Sequence, residues 1–208
     1  MTIRQAKLTR ARILDAAIEL VDASGVDALS MRSLAARLDV EAMSLYNHVP
    51  SKEALLDGIV EKVLDEVHAP ADDRSWRETL RELALRQRAA ALRHPRVMLL
   101  FSSRTVTSPA WRRPVEDTFA ALERGGFSPT AAVNAYRTFW GYVVGYVHGE
   151  LRNADSAGLD AYLSALPPAE FPATHAHAQQ LADVDRGAEF ERGLELVLDG
   201  IATLRGET

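Results

Sequence analysis

The sequence predicts an all-α protein, with a small N-terminal unit of three helices followed by a larger helical part. Two observations predict this fold class. Apolar residues recur every three or four positions through most of the 208 residues, which is the spacing of one buried helix face. The residues flanking these stretches are typical of helix ends, because Ser and Thr cap a helix start and glycine favours the left-handed backbone that ends one.

Four helices are predicted in the first third of the chain, at 10–23, 30–38, 41–47 and 51–68. Thr9, Ser30 and Ser51 can cap the first, second and fourth of these helices, and Gly25 ends the first. The buried face of the first helix comprises Ile13, Leu14, Ala17, Leu20 and Val21. Pro50 and Ser51 end the three-helix unit, and a connector follows the fourth helix at 69–73.

The remaining helices are predicted at 75–93, 97–101, 109–124, 128–153 and 186–205. Gly125 and Gly126 end one of them, and Pro129 stands in the favoured first position of the next. Residues 154–185 are rich in Ala, Pro, Asp and Gln and are predicted to form a mobile loop with little fixed structure. The closing helix carries a heptad stripe suited to packing along another helix. This stripe comprises Phe190, Leu194, Val197, Ile201 and Leu204.

The segment 30–52 predicts a helix-turn-helix. Ala35 is small where two helices cross closely, and Asp39 stands where the turn needs a residue that tolerates the left-handed region. Leu45 points back to the first helix of the pair, whereas Ser44, Tyr46, Asn47 and His48 point outward. In such a motif the second helix enters the DNA major groove. The alternative is an ordinary helical hairpin, although a short second helix with these exposed groups rarely serves packing alone.

Composition and charge favour an intracellular protein that touches DNA at one end. The chain is 47% apolar and lacks cysteine, an N-terminal apolar signal and any run of membrane-spanning length, which suits a soluble protein of the cytoplasm. Its net charge of −5 argues against indiscriminate nucleic-acid binding. Residues 1–52 nevertheless carry seven Lys and Arg against six Asp and Glu, and Arg4, Lys7, Arg10 and Arg12 meet no acid in the first dozen residues.

Several motifs in the first 60 residues resemble the tetracycline-repressor (TetR) family of bacterial regulators. These are ILDAA from Ile13, Gly25, LAARL from Leu34, LYNHV from Leu45 and SKEALL from Ser51. Asp39 replaces the glycine that the family usually has in the turn. Trp76, the Gly126-Phe-Ser sequence, Gly145 and the sequence that follows Phe190 also resemble the tetracycline-repressor C-terminal domain. The resemblance implies a DNA-binding domain at 1–52 extending into the linking helix 51–68, and an all-helical regulatory and dimerisation domain at 69–208.

The resemblance also implies roles for individual residues at a DNA operator. Ser30 and Arg32 fall where the family contacts phosphates and neighbouring bases, and Lys52 falls where the following helix contacts phosphate. The groove-facing side of the second helix comprises Ala42, Met43, Ser44, Tyr46, Asn47 and His48. Ser and Asn groups can read base edges, and Ala or Met can contact a thymine methyl. Tyr46 has an alternative role as an aromatic at the core edge, and His48 has one as a packing residue.

Glycines on the long helix 128–153 predict a close helix–helix contact. Gly141, Gly145 and Gly149 repeat every four residues on one face, although each costs about 1 kcal/mol of helix propensity relative to alanine. Gly193 and Gly200 recur at heptad spacing on the closing helix. The resemblance implies that both helices pair with their copies in a four-helix bundle. The predicted dimer contact comprises Gly141, Gly145, Gly149, Gly193, Val197, Gly200 and Leu204.

Aromatic and apolar residues predict a cavity for a small molecule, with a filled aromatic core as the alternative. They comprise Met98, Phe101, Trp111, Phe119, Tyr136, Phe139, Trp140, Val143 and Val147, with Arg104, His148 and Glu150 as polar candidates. Phe101 and Gly149 stand near the positions that chelate magnesium–tetracycline in the tetracycline repressor. We therefore expect an apolar effector without metal or other cofactor.

No nucleophile–base pattern and no glycine-rich phosphate loop indicates an enzyme, which leaves enzymatic activity as a remote alternative. His175 and His177 lack further ligands in the sequence around them and are predicted to be solvated. The leading hypothesis is a dimeric repressor released by a small effector. Its main alternative is a DNA-binding regulator with a filled core that responds to a protein partner or to no ligand.

Overall fold

A computed structural model describes residues 7–68, 73–101, 112–152, 156–182 and 185–206. Within these ranges every regular element is helical, which confirms the predicted fold class. None of the described helices is long and apolar enough to cross a membrane. The chain forms two compact units, of which the first ends at Arg124 and the second begins at Gly125.

The first four helices lie close to where the sequence predicts them. They are α1 Arg10–Ser24, α2 Met31–Leu38, α3 Ala42–Tyr46 and α4 Lys52–Leu64. The Thr9 hydroxyl oxygen accepts a hydrogen bond from the Arg12 amide at 3.2 Å and so caps α1. Gly25 ends α1 at a φ of 84°, which only glycine adopts without strain.

A shared apolar core holds these helices together. Its fully buried members include Ile13, Leu34, Leu45, Leu55 and Ile59, so each of the four helices contributes to one interior. The helices α1 and α4 approach each other closely at Gly58. A Cβ atom added there would lie only 2.9 Å from a Cδ atom of Leu14 and 3.0 Å from Nη2 of Arg10.

Three more helices complete the first unit after a 3₁₀ turn at Asp65–Val67. They are α5 Trp76–Arg93, α6 Pro95–Phe101 and α7 Arg112–Arg124. The helix α5 packs against α7, and α6 packs against both α1 and α4. The compact units therefore divide the chain elsewhere than the expected domains at 1–52 and 69–208, and that functional division stays a prediction.

The second unit is built on the packing of α8 Pro129–Arg152 against α12 Arg186–Thr203. Tyr142 donates a hydrogen bond to the Phe190 carbonyl at 2.8 Å, and its ring stacks on the Phe190 ring with centroids 5.7 Å apart. The Tyr146 hydroxyl lies 2.9 Å from the Arg186 carbonyl oxygen and 2.7 Å from a Glu189 carboxylate oxygen, so its single proton can be donated to either acceptor. Two tyrosines of α8 therefore anchor the first turns of α12.

The prediction of little fixed structure at 154–185 is wrong for most of the segment. The described residues there form α9 Ser156–Ala165, α10 Pro172–Ala176 and α11 Ala178–Ala182. Pro172 stands at the start of α10, where proline fits the helix geometry instead of breaking it. Alanine and glutamine are also good helix formers. The composition of the segment is therefore compatible with short helices.

The heptad stripe of α12 serves mainly the interior of its own chain. Phe190, Leu194 and Ile201 are fully buried where α12 packs on α8, while Val197 and Leu204 are half-buried. A Cβ atom at Gly193 would lie 2.3 Å from the Tyr142 hydroxyl oxygen, so Gly193 makes room for a side chain of the same protomer. An apolar stripe of this kind predicts a partner helix but not whether that helix belongs to another copy.

Replacing Tyr146 with Phe should lower the free energy of unfolding by about 1 kcal/mol, because the hydroxyl donor to α12 is lost. Burial and the neighbouring Glu189 raise the pKa of Tyr146 above its ordinary value of 10.0. Its stabilising contribution is therefore present below pH 10 and is lost as pH rises further. Urea unfolding at about pH 8 and about pH 11 measures how far the free energy of unfolding falls between these pH values. This fall should be smaller for Y146F than for wild type. Equal losses would contradict this role.

Candidate DNA-binding surface and regulatory helices

The turn between α2 and α3 has the geometry that the sequence predicts. Asp39 adopts φ 55° and ψ 51°, which is the left-handed region. Ser30 caps α2 by accepting a hydrogen bond from the Ser33 amide, and the Ser33 hydroxyl accepts one from the Ser30 amide, both at 3.0 Å. The part played by Ser33 was not predicted, although a polar residue three positions after an N-cap is the signal for such a reciprocal cap.

The helix α3 buries one side chain and leaves the opposite side open. Leu45 is fully buried in the core shared with α2. Met43 is 75% exposed, and Tyr46 is also exposed. Asn47 and His48 lie exposed just after the helix, whereas Ala42 and Ser44 are half-buried. All six predicted groove-facing residues therefore have side chains at least partly accessible to a ligand.

Two exposed cations that have no ion-pair partner among the described residues flank this surface. Arg32 is the second residue of α2, and Lys52 is the first residue of α4. In the described part of the chain neither side chain makes a hydrogen bond or ion pair. Other basic residues of these helices are engaged, in the pairs Arg10–Glu61, Arg37–Glu19 and Lys62–Asp15. The two free charges also stand at helix N-termini, where amide groups favour phosphate.

The predicted effector residues fall in both compact units. In the first unit Met98 is buried and Phe119 is half-buried. Phe101 ends α6, but its side chain lies outside the described residues, as do Arg104 and Trp111. In the second unit Phe139, Trp140, Val143 and Val147 are buried along α8. That these residues line an effector cavity stays a prediction.

The predicted effector residues on α8 include packed aromatic rings, a tyrosine hydroxyl and two polar side chains. The rings of Phe139 and Trp140 pack edge to face, with centroids 5.0 Å apart and planes at 76°. Tyr136 is half-buried, and burial raises the pKa of its hydroxyl, which therefore stays protonated at neutral pH. Of the polar candidates, Glu150 is buried and His148 half-buried.

The burial of Gln87, a polar residue of α5, was not predicted from the sequence. Its side chain is only 1% exposed, and its Oε1 atom accepts no hydrogen bond from the residues that the structure describes. A buried amide oxygen without a donor is costly. A single glutamine on an otherwise amphipathic helix gave no sequence signal for this burial.

The glycine stripe of α8 lies open in the isolated chain. A Cβ atom built on Gly141, Gly145 or Gly149 meets no atom within 4 Å, and the same holds for Gly200 on α12. Among the described residues of the protomer, no neighbour therefore explains these glycines, in contrast to Gly193. Leu196 of α12, which was not predicted as an interface residue, is 74% exposed.

Among the described residues, no three His, Asp or Glu side chains come together to hold a metal ion. His175 on α10 and His177 just after it are both exposed, in keeping with their predicted solvation.

A helix-turn-helix with an exposed second helix and flanking free cations defines a DNA-binding regulator. The comparisons with known proteins agree with this class. The family model of bacterial regulatory proteins of the tetR family matches residues 13–59, and that of the tetracyclin repressor-like C-terminal domain matches residues 69–205. The chain belongs to the TetR family of transcriptional regulators.

Its relatives match it over nearly the whole chain. An HTH-type transcriptional regulator of Saccharopolyspora erythraea is 34% identical over 205 residues, which cover 96% of this chain and 86% of that protein. The class G tetracycline repressor of Vibrio anguillarum is 33% identical, with 96% of both chains covered. The Streptomyces coelicolor TetR family protein ActR in complex with actinorhodin has a TM-score of 0.81 at 30% identity, covering 97% of this chain and 99% of its own.

Proposed function

We propose that this protein is a cytoplasmic homodimeric repressor that binds an inverted-repeat DNA operator and is released by a small, largely apolar effector. The observation that carries the DNA-binding part is the exposed side of α3, flanked by Arg32 and Lys52, which have no ion-pair partner among the described residues. Arg10, Arg37 and Lys62 of the neighbouring helices do have carboxylate partners, whereas these two cations are available to phosphate. The proposal includes no enzymatic activity.

The division of labour at the operator follows from the chemistry of each side chain. Arg32, Lys52 and the cap residue Ser30 contact phosphates and set the position of α3 on the duplex. Ser44 and Asn47 read base edges by hydrogen bonds, and the apolar groups of Ala42 and Met43 contact thymine methyls. Tyr46 and His48 complete this surface, where a phenol and an imidazole can contact either phosphate or base.

The effector part of the proposal is supported by relatives and by two substituted positions. The ActR complex contains actinorhodin, and several relatives are tetracycline repressors. Phe101 and Gly149 provide no oxygen or nitrogen side-chain ligand for a magnesium chelate, which argues for an effector bound without metal. Release from DNA requires that the effector bind the non-DNA-binding arrangement more tightly than the operator-bound one.

The DNA-binding surface can be tested by comparing two kinds of variant on an operator obtained by in vitro selection. Arg32→Ala and Lys52→Ala should each weaken binding to all sequences and flatten the salt dependence, because fewer counterions are released. Asn47→Ala should instead change the base preference, by about 1–3 kcal/mol at the affected position. Fluorescence anisotropy titrations at several salt concentrations measure both effects.

Arg37→Ala is the matched control for this test, since it removes a neighbouring cation that is already paired with Glu19. This control should leave the affinity and its salt dependence close to those of wild type. If wild type prefers no DNA sequence, the proposed function is wrong. If Arg37→Ala weakens binding as much as Arg32→Ala, the assignment of the phosphate contacts is wrong.

A further inference from the structure

The C-terminal end of α1 is capped by residues from the predicted regulatory part of the chain. A helix leaves its last carbonyl groups without intrahelical partners. The Val21 carbonyl accepts from the Gly25 amide at 2.8 Å, which is a local cap. The Asp22 carbonyl instead accepts from Nη1 of Arg96 at 3.0 Å, across 74 residues of sequence. Arg96 belongs to α6, so α6 supplies one of the caps that α1 needs.

A second contact at the same place involves the Asp22 side chain. Its Oδ2 atom lies 2.6 Å from Nδ1 of His94, the residue between α5 and α6. The Asp22 and His94 side chains are only 23% and 16% exposed, whereas those of the Arg37–Glu19 pair are 43% and 64% exposed. The contact between Asp22 and His94 is therefore less open to competing water than the exposed Arg37–Glu19 pair.

The position of Asp22 is unfavourable in the absence of this contact. It lies in the last turn of α1, where the helix dipole disfavours a carboxylate, and that turn contains no basic residue. Its Oδ1 atom is buried and finds no hydrogen-bond partner among the described residues. The contacts with His94 and Arg96 therefore offset a cost that α1 cannot offset by itself.

His94 also contacts the turn that follows α4. Nε2 of His94 lies 3.6 Å from a carboxylate oxygen of Glu66, in the 3₁₀ turn that follows α4. Glu66 is in turn paired with Arg93, the last residue of α5. The residues between α5 and α6 thus contact the ends of both helices that pack behind the helix-turn-helix.

We propose that His94 and Arg96 form a capping corner that couples the regulatory helices to the DNA-binding helices, through Asp22 of α1. A displacement of α6 withdraws both contacts together and leaves the end of α1 uncapped. Since α1 packs directly against α2 and α4, the loss of this cap loosens the support of the recognition helix α3. The three residues act as positioning residues and touch no DNA themselves. This inference rests on the proposed function.

Hydrogen exchange of the purified full-length chain tests the coupling without any ligand or DNA. Asp22→Ala should speed exchange of the last-turn amides of α1, and also of amides at the start of α6, by roughly tenfold. His94→Ala should affect the same two segments, although it lies in neither. Glu19→Ala is the matched control, because it removes an α1 carboxylate whose partner Arg37 belongs to the DNA-binding helices. The control should leave exchange in α6 unchanged.

Operator affinity provides the functional readout. Asp22→Ala, His94→Ala and the double variant should all weaken binding to the selected operator by similar factors of about tenfold, because both single changes break one coupled unit. Asp22→Asn retains an oxygen that accepts from the His94 ring and should restore most of the affinity. A double variant whose loss equals the product of the single losses would overturn the inference.

The two ways of failing can be told apart. If wild type binds no operator but Asp22→Ala speeds exchange in both segments, the capping corner exists and the proposed function fails. If wild type binds its operator, and Asp22→Ala behaves like Glu19→Ala in both measurements, the inference fails and the proposed function stands. Should Asp22→Ala not fold, His94→Ala and Asp22→Asn decide the question by the same measurements.

Discussion

Replacing Gly145 with Leu should convert the proposed dimer into a monomer and abolish operator binding. The position is exposed, and a Cβ atom built there meets no described atom of its own protomer within 4 Å, so a side chain at this position starts in open space. The added bulk blocks the close approach of a second α8 helix that the glycine stripe permits. Operator binding is lost with the dimer, because two half-sites about one helical turn apart must be held by one rigid body. Analytical ultracentrifugation and anisotropy titration measure the two effects.

Gly145→Ala is the control at the same position. Alanine adds a single methyl group and gains helix propensity of about 1 kcal/mol, so this variant should keep its fold and retain more of the dimer than Gly145→Leu. Circular dichroism should show unchanged helix content for both variants. A Gly145→Leu protein that sediments as an intact dimer would show that the glycine stripe does not lie at a close interface.

Replacing Trp140 with Ala should remove effector binding and lower the free energy of unfolding by about 3–5 kcal/mol, as expected for a large buried aromatic. Trp140 is buried on α8 and packs edge to face on Phe139. Wild type should gain thermal stability with members of a panel of aromatic polycyclic compounds that includes actinorhodin, because a ligand of the folded state raises Tm. Trp140→Ala should lose this gain while its operator affinity without ligand stays near that of wild type.

Trp140→Phe separates the loss of a ligand contact from the loss of stability, since it preserves an aromatic ring and most of the packing. It should bind the same compounds more weakly than wild type while unfolding at a higher temperature than Trp140→Ala. Wild type that shows no thermal shift with any compound would favour the alternative of a filled core that responds to a protein partner. Tetracycline binding that EDTA abolishes would overturn the expectation of a metal-free effector.

The features that could be predicted from the sequence are local ones. Gly25, Ser30 and Asp39 each act on backbone within a few residues, so their positions alone predict a helix end, a cap and a left-handed turn. The exposure of α3 could also be predicted, because a helix that buries only Leu45 must turn its remaining side chains outward. These local signals account for the predicted fold class and for the accessible DNA-binding surface.

The features that could not be predicted depend on partners distant in sequence. The contact between Asp22 and His94 joins residues 72 positions apart, and neither residue belongs to a recognisable motif. Gly193 resembles Gly145 in the sequence, but their surroundings differ. Gly193 makes room for the Tyr142 side chain, whereas a Cβ atom at Gly145 meets no described atom within 4 Å. The helices within 154–185 escape prediction because proline usually breaks a helix, whereas Pro172 begins one.

The close approach at Gly58 has a consequence for how this chain can vary during evolution. Residues 14 and 58 share one volume, since a Cβ atom at 58 would overlap the Leu14 side chain. A larger residue at 58 requires the Leu14 and Arg10 side chains to move, a smaller residue at 14, or helices α1 and α4 set further apart. The last of these would move the predicted recognition helix relative to α4. Substitutions at positions 14 and 58 are therefore expected to depend on each other, because the size of one side chain limits the size of the other.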